Sequence, residues 1–181
     1  MVVTANFRLL YVFVVMEHAT REVLHVNVTR HPTAQWTLQQ LREAIPSEPR
    51  YRFLIHDRDS IFSADLDKSV RNLGLRVLKT PYRSPRANAH CERLIGSLRR
   101  EALDWVIPLG ERHLRSLLSD WVKHYNTGRP HMSLGPGVPL PCGTPVAIQR
   151  ARHSIPHGFD VASRPVLAGL HHEYSLLPLA A

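Results

Sequence analysis

The chain has 181 residues, 44% of them hydrophobic, which is enough to bury the core of one domain. Its formal net charge of +8 indicates a polyanionic partner, nucleic acid before an acidic membrane surface, with a charge surplus that only aids solubility as the alternative. Cys91 and Cys142 are the two cysteines, which excludes a disulfide framework, matches no paired zinc spacing and favours a reducing cytoplasm. The apolar run 9–16 is too short to span a bilayer and lacks a signal-peptide cleavage site, so no membrane role is expected.

The first third of the chain predicts three strands and a helix. The continuous apolar run Leu9–Met16 predicts a central strand covered on both faces. Residues 21–29 follow with near-alternation, after a connection short enough for an antiparallel hairpin. Residues 1–4 are expected to belong to a further strand. Thr33 is a plausible N-cap for a helix whose apolar residues recur as far as Ile45.

The next elements repeat the alternation of strand and helix. Residues 51–55 form a short apolar run, which predicts a buried strand that stops just before Asp57. Residues 66–73 have helical spacing and are followed by Gly74, and residues 75–79 predict another strand. This order indicates a mixed α/β sheet with flanking helices.

Two longer helices follow. Asn88, Glu92 and Arg99 are spaced four and seven residues apart, so a helix opening near Ala89 would align them on one stripe beside its core face. A second helix from Glu111 is expected to turn its apolar residues inward. The residues of the first helix predicted to face the core are Cys91, Leu94, Ile95, Leu98, Ala102 and Trp105.

Proline and glycine dominate the region after these helices, which leaves little room for regular structure. Residues 1–135 are therefore predicted to form the core domain. Residues 136–181 are predicted to form an irregular, proline-rich C-terminal arm, with one short strand near 166–174.

Two acidic residues suggest chemistry. Asp57 stands where a strand ends, at the kind of sheet edge where α/β proteins bind ligands, and Glu92 comes 35 positions later on the first turns of a helix. Carboxylates from two different elements could hold one divalent cation, since Mg²⁺ prefers oxygen ligands. The alternatives are that Asp57 is a turn residue and that Glu92 is an ordinary solvated carboxylate.

In their order, these residues resemble the catalytic core of insertion-sequence transposases and retroviral integrases. The resemblance implies a ribonuclease H-like α/β fold and an Asp-Asp-Glu triad, with Asp57 and Glu92 as its second and third members. It also implies two Mg²⁺ or Mn²⁺ ions, phosphoryl transfer on transposon-end and target DNA, a homo-oligomer, and a cytoplasmic or nucleoid location. The matching pieces are residues 57–62, Ser84-Pro85, Asn88, Glu92, Arg99, Tyr125-Asn126 and Arg129-Pro130-His131.

The same region is rich in residues that suit a DNA backbone. Each basic side chain alone would be read as a solvated charge, and Arg99 could instead form a salt bridge with Glu92; the cluster favours phosphate contacts. The residues predicted to contact DNA are Lys79, Arg83, Arg86, Asn88, Arg99 and Arg100.

The chain departs from the family pattern at the first triad aspartate, which by alignment would fall before Met1. No aspartate precedes Asp57, and Glu17 is only a minor candidate for a replacement ligand. One hypothesis is therefore a recombinase core whose start lies upstream, with strand transfer impaired in the present polypeptide. Another is an inactive remnant that only binds DNA or self-associates, and a third is an RNA-cleaving enzyme of the same fold.

Overall fold

The computed structural model describes residues 1–46, 50–81, 88–135, 137–141, 155 and 157–179. Arg83, Ser84, Pro85 and Arg86 lie outside this set, as does most of the segment 142–156. Within the described residues, no helix is long and apolar enough to cross a bilayer.

The N-terminal sheet has three antiparallel strands in the order β1 (Val2–Val3), β2 (Leu9–Met16) and β3 (Val23–Thr29). The predicted hairpin of β2 and β3 is confirmed, with Val12 opposite Val28. The predicted coverage of both faces of β2 is also confirmed, because its alternating side chains pack into two separate hydrophobic clusters.

Helix α1 (Ala34–Ala44) begins where the sequence predicted. The Thr33 hydroxyl oxygen accepts a hydrogen bond from the Trp36 amide at 3.1 Å, which makes Thr33 the N-cap. The helix packs its buried residue Leu41 against the second hydrophobic cluster, on the side of β2 that carries Phe13 and Val15.

A second, two-stranded sheet pairs β4 (Phe53–His56) with β5 (Arg76–Lys79) in parallel, and α2 (Ala64–Asn72) connects them. The prediction that the first of these strands is buried is wrong for one face: Phe53 is 46% and Ile55 43% exposed. The reason is the alternation of side chains along a strand: Leu54 packs in the hydrophobic cluster that contains residues of α1 and α2, so its neighbours Phe53 and Ile55 point to the opposite face.

The α-helical layer consists of α3 (Ala89–Leu98), a π-helical turn (Arg99–Leu103) and α4 (Glu111–Thr127). Leu94, Leu98 and Ala102 of the first helix and its extension are buried against Leu114, Leu118 and Trp121 of α4 and against the N-terminal sheet.

The predicted inward positions of Ile95 and Trp105 are wrong: these side chains are 45% and 70% exposed. The buried stripe follows a four-residue spacing, so Ile95 lies on its open flank. Trp105 lies beyond the π-helical turn, and its indole N–H donates to the Arg100 carbonyl at 2.7 Å, outside the core.

The C-terminal region contains a hairpin of β6 (Phe159–Val166) and β7 (His171–Pro178) instead of the single short strand predicted at 166–174. A turn interrupts that interval, with positive φ at Leu167 and Ala168, and Leu167 is buried in the main hydrophobic cluster. The predicted irregular arm is therefore also wrong over 159–165. Pro165 lies within β6, because a hairpin edge tolerates proline.

Candidate active site

Asp57 follows the last residue of β4 and is exposed. One of its carboxylate oxygens accepts the Asp59 amide at 3.2 Å, and an Asp59 carboxylate oxygen accepts the Ile61 amide at 3.0 Å. These contacts are Asx turns, in which a short acidic side chain caps the backbone two residues on. The turn fixes the chain immediately after the strand, with the Asp57 side chain at the end of β4.

A buried charge cluster lies beneath this turn. Asp67 of α2 accepts the Lys79 ammonium at 2.6 Å and lies 3.0 Å from His56 Nε2. Burial acts to raise the pKa of Asp67, but hydrogen bonds from Lys79 and His56, together with their charges, outweigh it and lower the pKa. Sequence reasoning missed Asp67. The available signal was its position on α2 beside Leu66, an apolar residue that faces the core.

Lys79 is one of the residues predicted to contact DNA. Its ammonium is paired with Asp67, although more than a third of the side chain is exposed. Because this ion pair already offsets the charge of Lys79, the residue is a poorer phosphate ligand than an unpaired lysine, and its DNA contact stays a prediction.

Glu92 lies in the first turn of α3 and is exposed. Beside it, the partly buried Cys91 thiol has a pKa raised by burial first, and then by the negative charges of Asp57 and Glu92. The charges of both carboxylates thus act on the same thiol, one from the turn that follows β4 and the other from the first turn of α3.

A cavity of about 500 Å³ adjoins this thiol. Its walls include the 13–16 stretch of β2 and residues 50–55, which contain most of β4, together with Asn88 and Cys91. Among the described residues, β2 beyond Leu10 has a partner strand on one side only, since β1 pairs just with Leu9 and Leu10. The two sheets thus face each other across an apolar gap without a strand between them in the described part of the chain.

Asn88 is the N-cap residue of α3 but makes no side-chain capping bond. Glu17, the minor candidate for a replacement ligand, also lines the cavity, and its carboxylate accepts the Thr20 hydroxyl at 2.6 Å. Asn88 and Cys91 thus line the same cavity, while Glu17 is already engaged in the turn that follows β2.

Arg99 contacts the N-terminus of the chain. Its guanidinium donates to the Met1 carbonyl at 3.2 Å, and among the described ion pairs none joins it to Glu92. The N-terminal amino group has a pKa lowered by burial and then by Arg99. The alternative of a salt bridge between Arg99 and Glu92 is thus not observed, and exposed Arg99 and Arg100 remain available to an anionic partner.

The motif 129–131 has a structural position. Arg129 pairs with Glu101 at 2.8 Å, which ties the end of α4 to the π-helical turn. His131 is buried, with Nε2 3.3 Å from the Tyr125 carbonyl. These contacts favour a structural role for this motif, as a corner after α4.

The C-terminal hairpin docks through a set of polar contacts that the sequence did not predict. His124 Nδ1 lies 2.9 Å from the Glu173 carboxylate, which also pairs with Arg164. His171 stacks on His124 and bonds the Glu101 carbonyl at 2.9 Å. Burial acts to raise the pKa of Glu173, but hydrogen bonds and charge from His124 and Arg164 outweigh it and lower the pKa.

The donor type of Asp57 and Glu92 suits Mg²⁺ or Mn²⁺, which prefer carboxylate oxygens and retain several waters. The number of donors falls short: the described residues contain no group of three or more His, Cys, Asp or Glu side chains placed to hold a metal ion. The pair therefore fits a divalent cation in chemistry but needs further ligands from water, substrate or another segment.

Comparisons with known proteins test the predicted fold and resemblance. A family model described as "Integrase core domain" matches residues 73–139, which include Glu92, Arg99 and the 129–131 motif. The catalytic core domain of BIV integrase covers 71% of this chain and 81% of its own, with a TM-score of 0.54 and 19% identity. The fold is that of an integrase catalytic core. The predicted ribonuclease H-like fold and the integrase and transposase resemblance are confirmed.

Two further relatives bear on this integrase-type core. A simian T-cell lymphotropic virus intasome, solved with PP2A regulatory subunit B56 gamma, covers 94% of this chain and 62% of its own, with a TM-score of 0.60 and 15% identity. The "Insertion element IS476 uncharacterized 39.2 kDa protein" of Xanthomonas euvesicatoria is 25% identical over 155 residues, which is 84% of this chain and 44% of the relative. The chain thus spans less than half the length of that relative.

Proposed function

We propose that this chain is the catalytic core of a DDE-type DNA transposase or integrase, with Asp57 and Glu92 as metal-binding carboxylates. The observation that carries the proposal is that Asp57 follows the last residue of β4 and Glu92 lies in the first turn of α3, both exposed, in a chain with the fold of an integrase catalytic core. Two carboxylates hold a metal pair poorly, so we propose that strand transfer by the present polypeptide is impaired. A divalent ion, when bound, would activate the attacking oxygen and stabilise the leaving oxygen.

The protein's own side chains would provide binding and orientation. Exposed Arg99 and Arg100 follow α3, the helix that carries Glu92, and would hold DNA phosphates beside the carboxylates. Asn88, which lines the cavity, would add a neutral donor. The net charge of +8 supports a DNA partner, and we extend the proposal to transposon-end and target DNA, a homo-oligomer, and a nucleoid-associated cytoplasmic location.

The cavity between the two sheets suggests how the first aspartate of the Asp-Asp-Glu triad would reach the site. β1 runs antiparallel to β2, with Val2 opposite Leu10 and Val3 opposite Leu9. Residues added before Met1 in the same register would run along the unpaired stretch of β2 and into the cavity. An extended polypeptide could therefore deliver a carboxylate between β2 and the end of β4, where Asp57 lies.

The test is a Mn²⁺-dependent strand-transfer assay on a chain extended upstream of Met1. Glu92→Gln should lower the rate about 100-fold or more while leaving DNA affinity unchanged, because it removes a metal ligand and not a phosphate contact. Glu43→Gln, a glutamate on the exposed surface of α1, is the matched control. Full activity of Glu92→Gln would remove Glu92 from the site.

A second candidate is an inactive remnant that binds DNA or self-associates. The observation in its favour is that the described residues hold no group of three metal ligands. It predicts DNA binding that is unaffected by a chelator and no catalysis even in the extended chain. Cleavage of an RNA–DNA hybrid but not of DNA ends would instead favour an RNA-cleaving enzyme.

A further inference from the structure

The Asp67 carboxylate is the most enclosed charge beside the candidate site, with only 4% of its side chain exposed. It lies on α2 and contacts the ends of both parallel strands, through His56 of β4 and Lys79 of β5. These two residues are direct neighbours in the strand register. One carboxylate therefore fastens the two strands together at the end where Asp57 emerges.

His56 connects this carboxylate to the backbone of Asp57. Its Nε2 lies 3.0 Å from Asp67, and its Nδ1 lies 2.5 Å from the Asp57 carbonyl oxygen. The ring is also stacked on Phe62, with centroids 4.2 Å apart, so its orientation is fixed on its face as well as at both nitrogens. A continuous chain of contacts thus runs from α2 to the main chain of Asp57.

A second set of backbone contacts closes the same corner. The Thr80 amide donates to the His56 carbonyl at 3.0 Å, and Arg58 Nε donates to the Thr80 carbonyl at 3.1 Å. The residues before and after Asp57 are both held, while the Asp57 side chain itself stays exposed. This is the arrangement expected of a ligand carboxylate that is oriented by groups behind it.

We propose that Asp67 is a positioning residue, which acts through His56 to hold the Asp57 carboxylate in place for a divalent cation. The inference rests on the proposed metal-binding role of Asp57 and adds a supporting group that the sequence motifs do not include. Asp67 touches neither metal nor DNA in this role.

The experiment measures Mn²⁺ affinity by electron paramagnetic resonance on the present chain and on four variants. Asp67→Asn removes the charge, and His56→Phe removes both ring nitrogens but keeps a ring against Phe62. Each should weaken Mn²⁺ binding about tenfold, the lower end of the effect of groups that orient metal ligands. Val70→Ala, a buried site on the same helix, is the control for lost stability, and Asp57→Asn identifies the binding that belongs to the site.

A metal-free readout accompanies these measurements. The Asp59 amide donates to the Asp57 carboxylate, so its NMR resonance reports the position of that side chain. It should shift in Asp67→Asn and stay in place in Val70→Ala. If Asp67→Asn only lowers the melting temperature, with Asp57-dependent Mn²⁺ binding and the Asp59 resonance unchanged, the positioning role is overturned and the proposed function stands. If wild-type binding does not depend on Asp57, the proposed function fails and the positioning role fails with it.

Discussion

The side-chain amide of Asn126 makes both of its hydrogen bonds to the backbone of Val23: its oxygen accepts the Val23 N–H at 2.9 Å, and its nitrogen donates to the Val23 carbonyl at 2.9 Å. Both residues are buried. The contact joins the end of α4 to the first residue of β3, 103 positions away along the chain. The Tyr125-Asn126 motif is thus a fastening between the helical layer and the sheet.

Asn126→Ala should lower the free energy of unfolding by about 2–4 kcal/mol, because it leaves two backbone groups of Val23 buried without partners. Urea denaturation would measure the loss. Gln39→Ala, which removes an exposed amide from α1, should change stability by less than about 0.5 kcal/mol. Equal effects of the two substitutions would contradict the fastening role.

Leu94 and Ile95 are adjacent on α3, and only Leu94 is buried. Leu94→Ala should destabilise the fold by about 2–5 kcal/mol through the cavity it creates, whereas Ile95→Ala should cost less than about 1 kcal/mol. Thermal and chemical unfolding of the pair would test how α3 is rotated against the core. A larger loss from Ile95→Ala would mean that the helix faces the other way.

The reactivity of the Cys91 thiol can report whether Asp57 and Glu92 lie near it. In a Cys142→Ser background, Asp57→Asn and Glu92→Gln should each lower the pKa of the Cys91 thiol, because each removes a charge that raises it. The rate of iodoacetamide alkylation near pH 8 should then increase. Asp120→Asn on the exposed face of α4 should leave the rate unchanged, and an unchanged rate in Asp57→Asn would separate that carboxylate from the thiol.

Docking of the C-terminal hairpin should depend on pH through Glu173. The folded-state pKa of Glu173 lies below its ordinary value of 4.5, so the ionised carboxylate stabilises the folded chain. That stability is complete above the ordinary pKa and is lost as the pH falls through the lower folded value. Wild type should exceed Glu173→Gln in stability at pH 7, and the two unfolding curves should converge in acid. A constant difference down to pH 3 would exclude this origin.

The basic residues after Glu92 should contribute to DNA binding through phosphate contacts. Arg99→Ala and Arg100→Ala should each weaken binding and reduce the slope of log K against log salt by roughly 0.9, the contribution of one phosphate contact. Fluorescence anisotropy across a salt series would measure both quantities. Arg42→Ala, an exposed arginine on α1, is the matched control; a slope that only Arg42→Ala changed would place DNA elsewhere.

Periodicity predicted most of the elements because each one is amphipathic or fully covered. The strand Leu9–Met16 and the cap at Thr33 are observed where apolar continuity and capping chemistry placed them. The rotation of α3 was harder to predict, because the π-helical turn at Arg99–Leu103 breaks the 3.6-residue period that put Trp105 inside. Local patterns do not encode such a turn.

For the site, the sequence nominated Asp57 and Glu92 by resemblance but could not reveal what supports them. Asp67 is distant in sequence from Lys79, and only the parallel pairing of β4 and β5 brings its partners together. The C-terminal hairpin was missed for a similar reason. Its buried anchor, Leu167, lies in a turn where Leu167 and Ala168 have positive φ. Positive φ is uncommon outside glycine, so these two residue types do not suggest a turn.

The gap between β2 and β4 also affects how the protein should behave in solution. In the part of the chain that the structure describes, one edge of β2 beyond Leu10 is unpaired and borders an apolar cavity, and such an edge is a template for another extended chain. We therefore expect concentrated samples to exchange N-terminal strands between copies or to aggregate through this edge. We also expect a segment that fills the gap to improve solubility as much as activity.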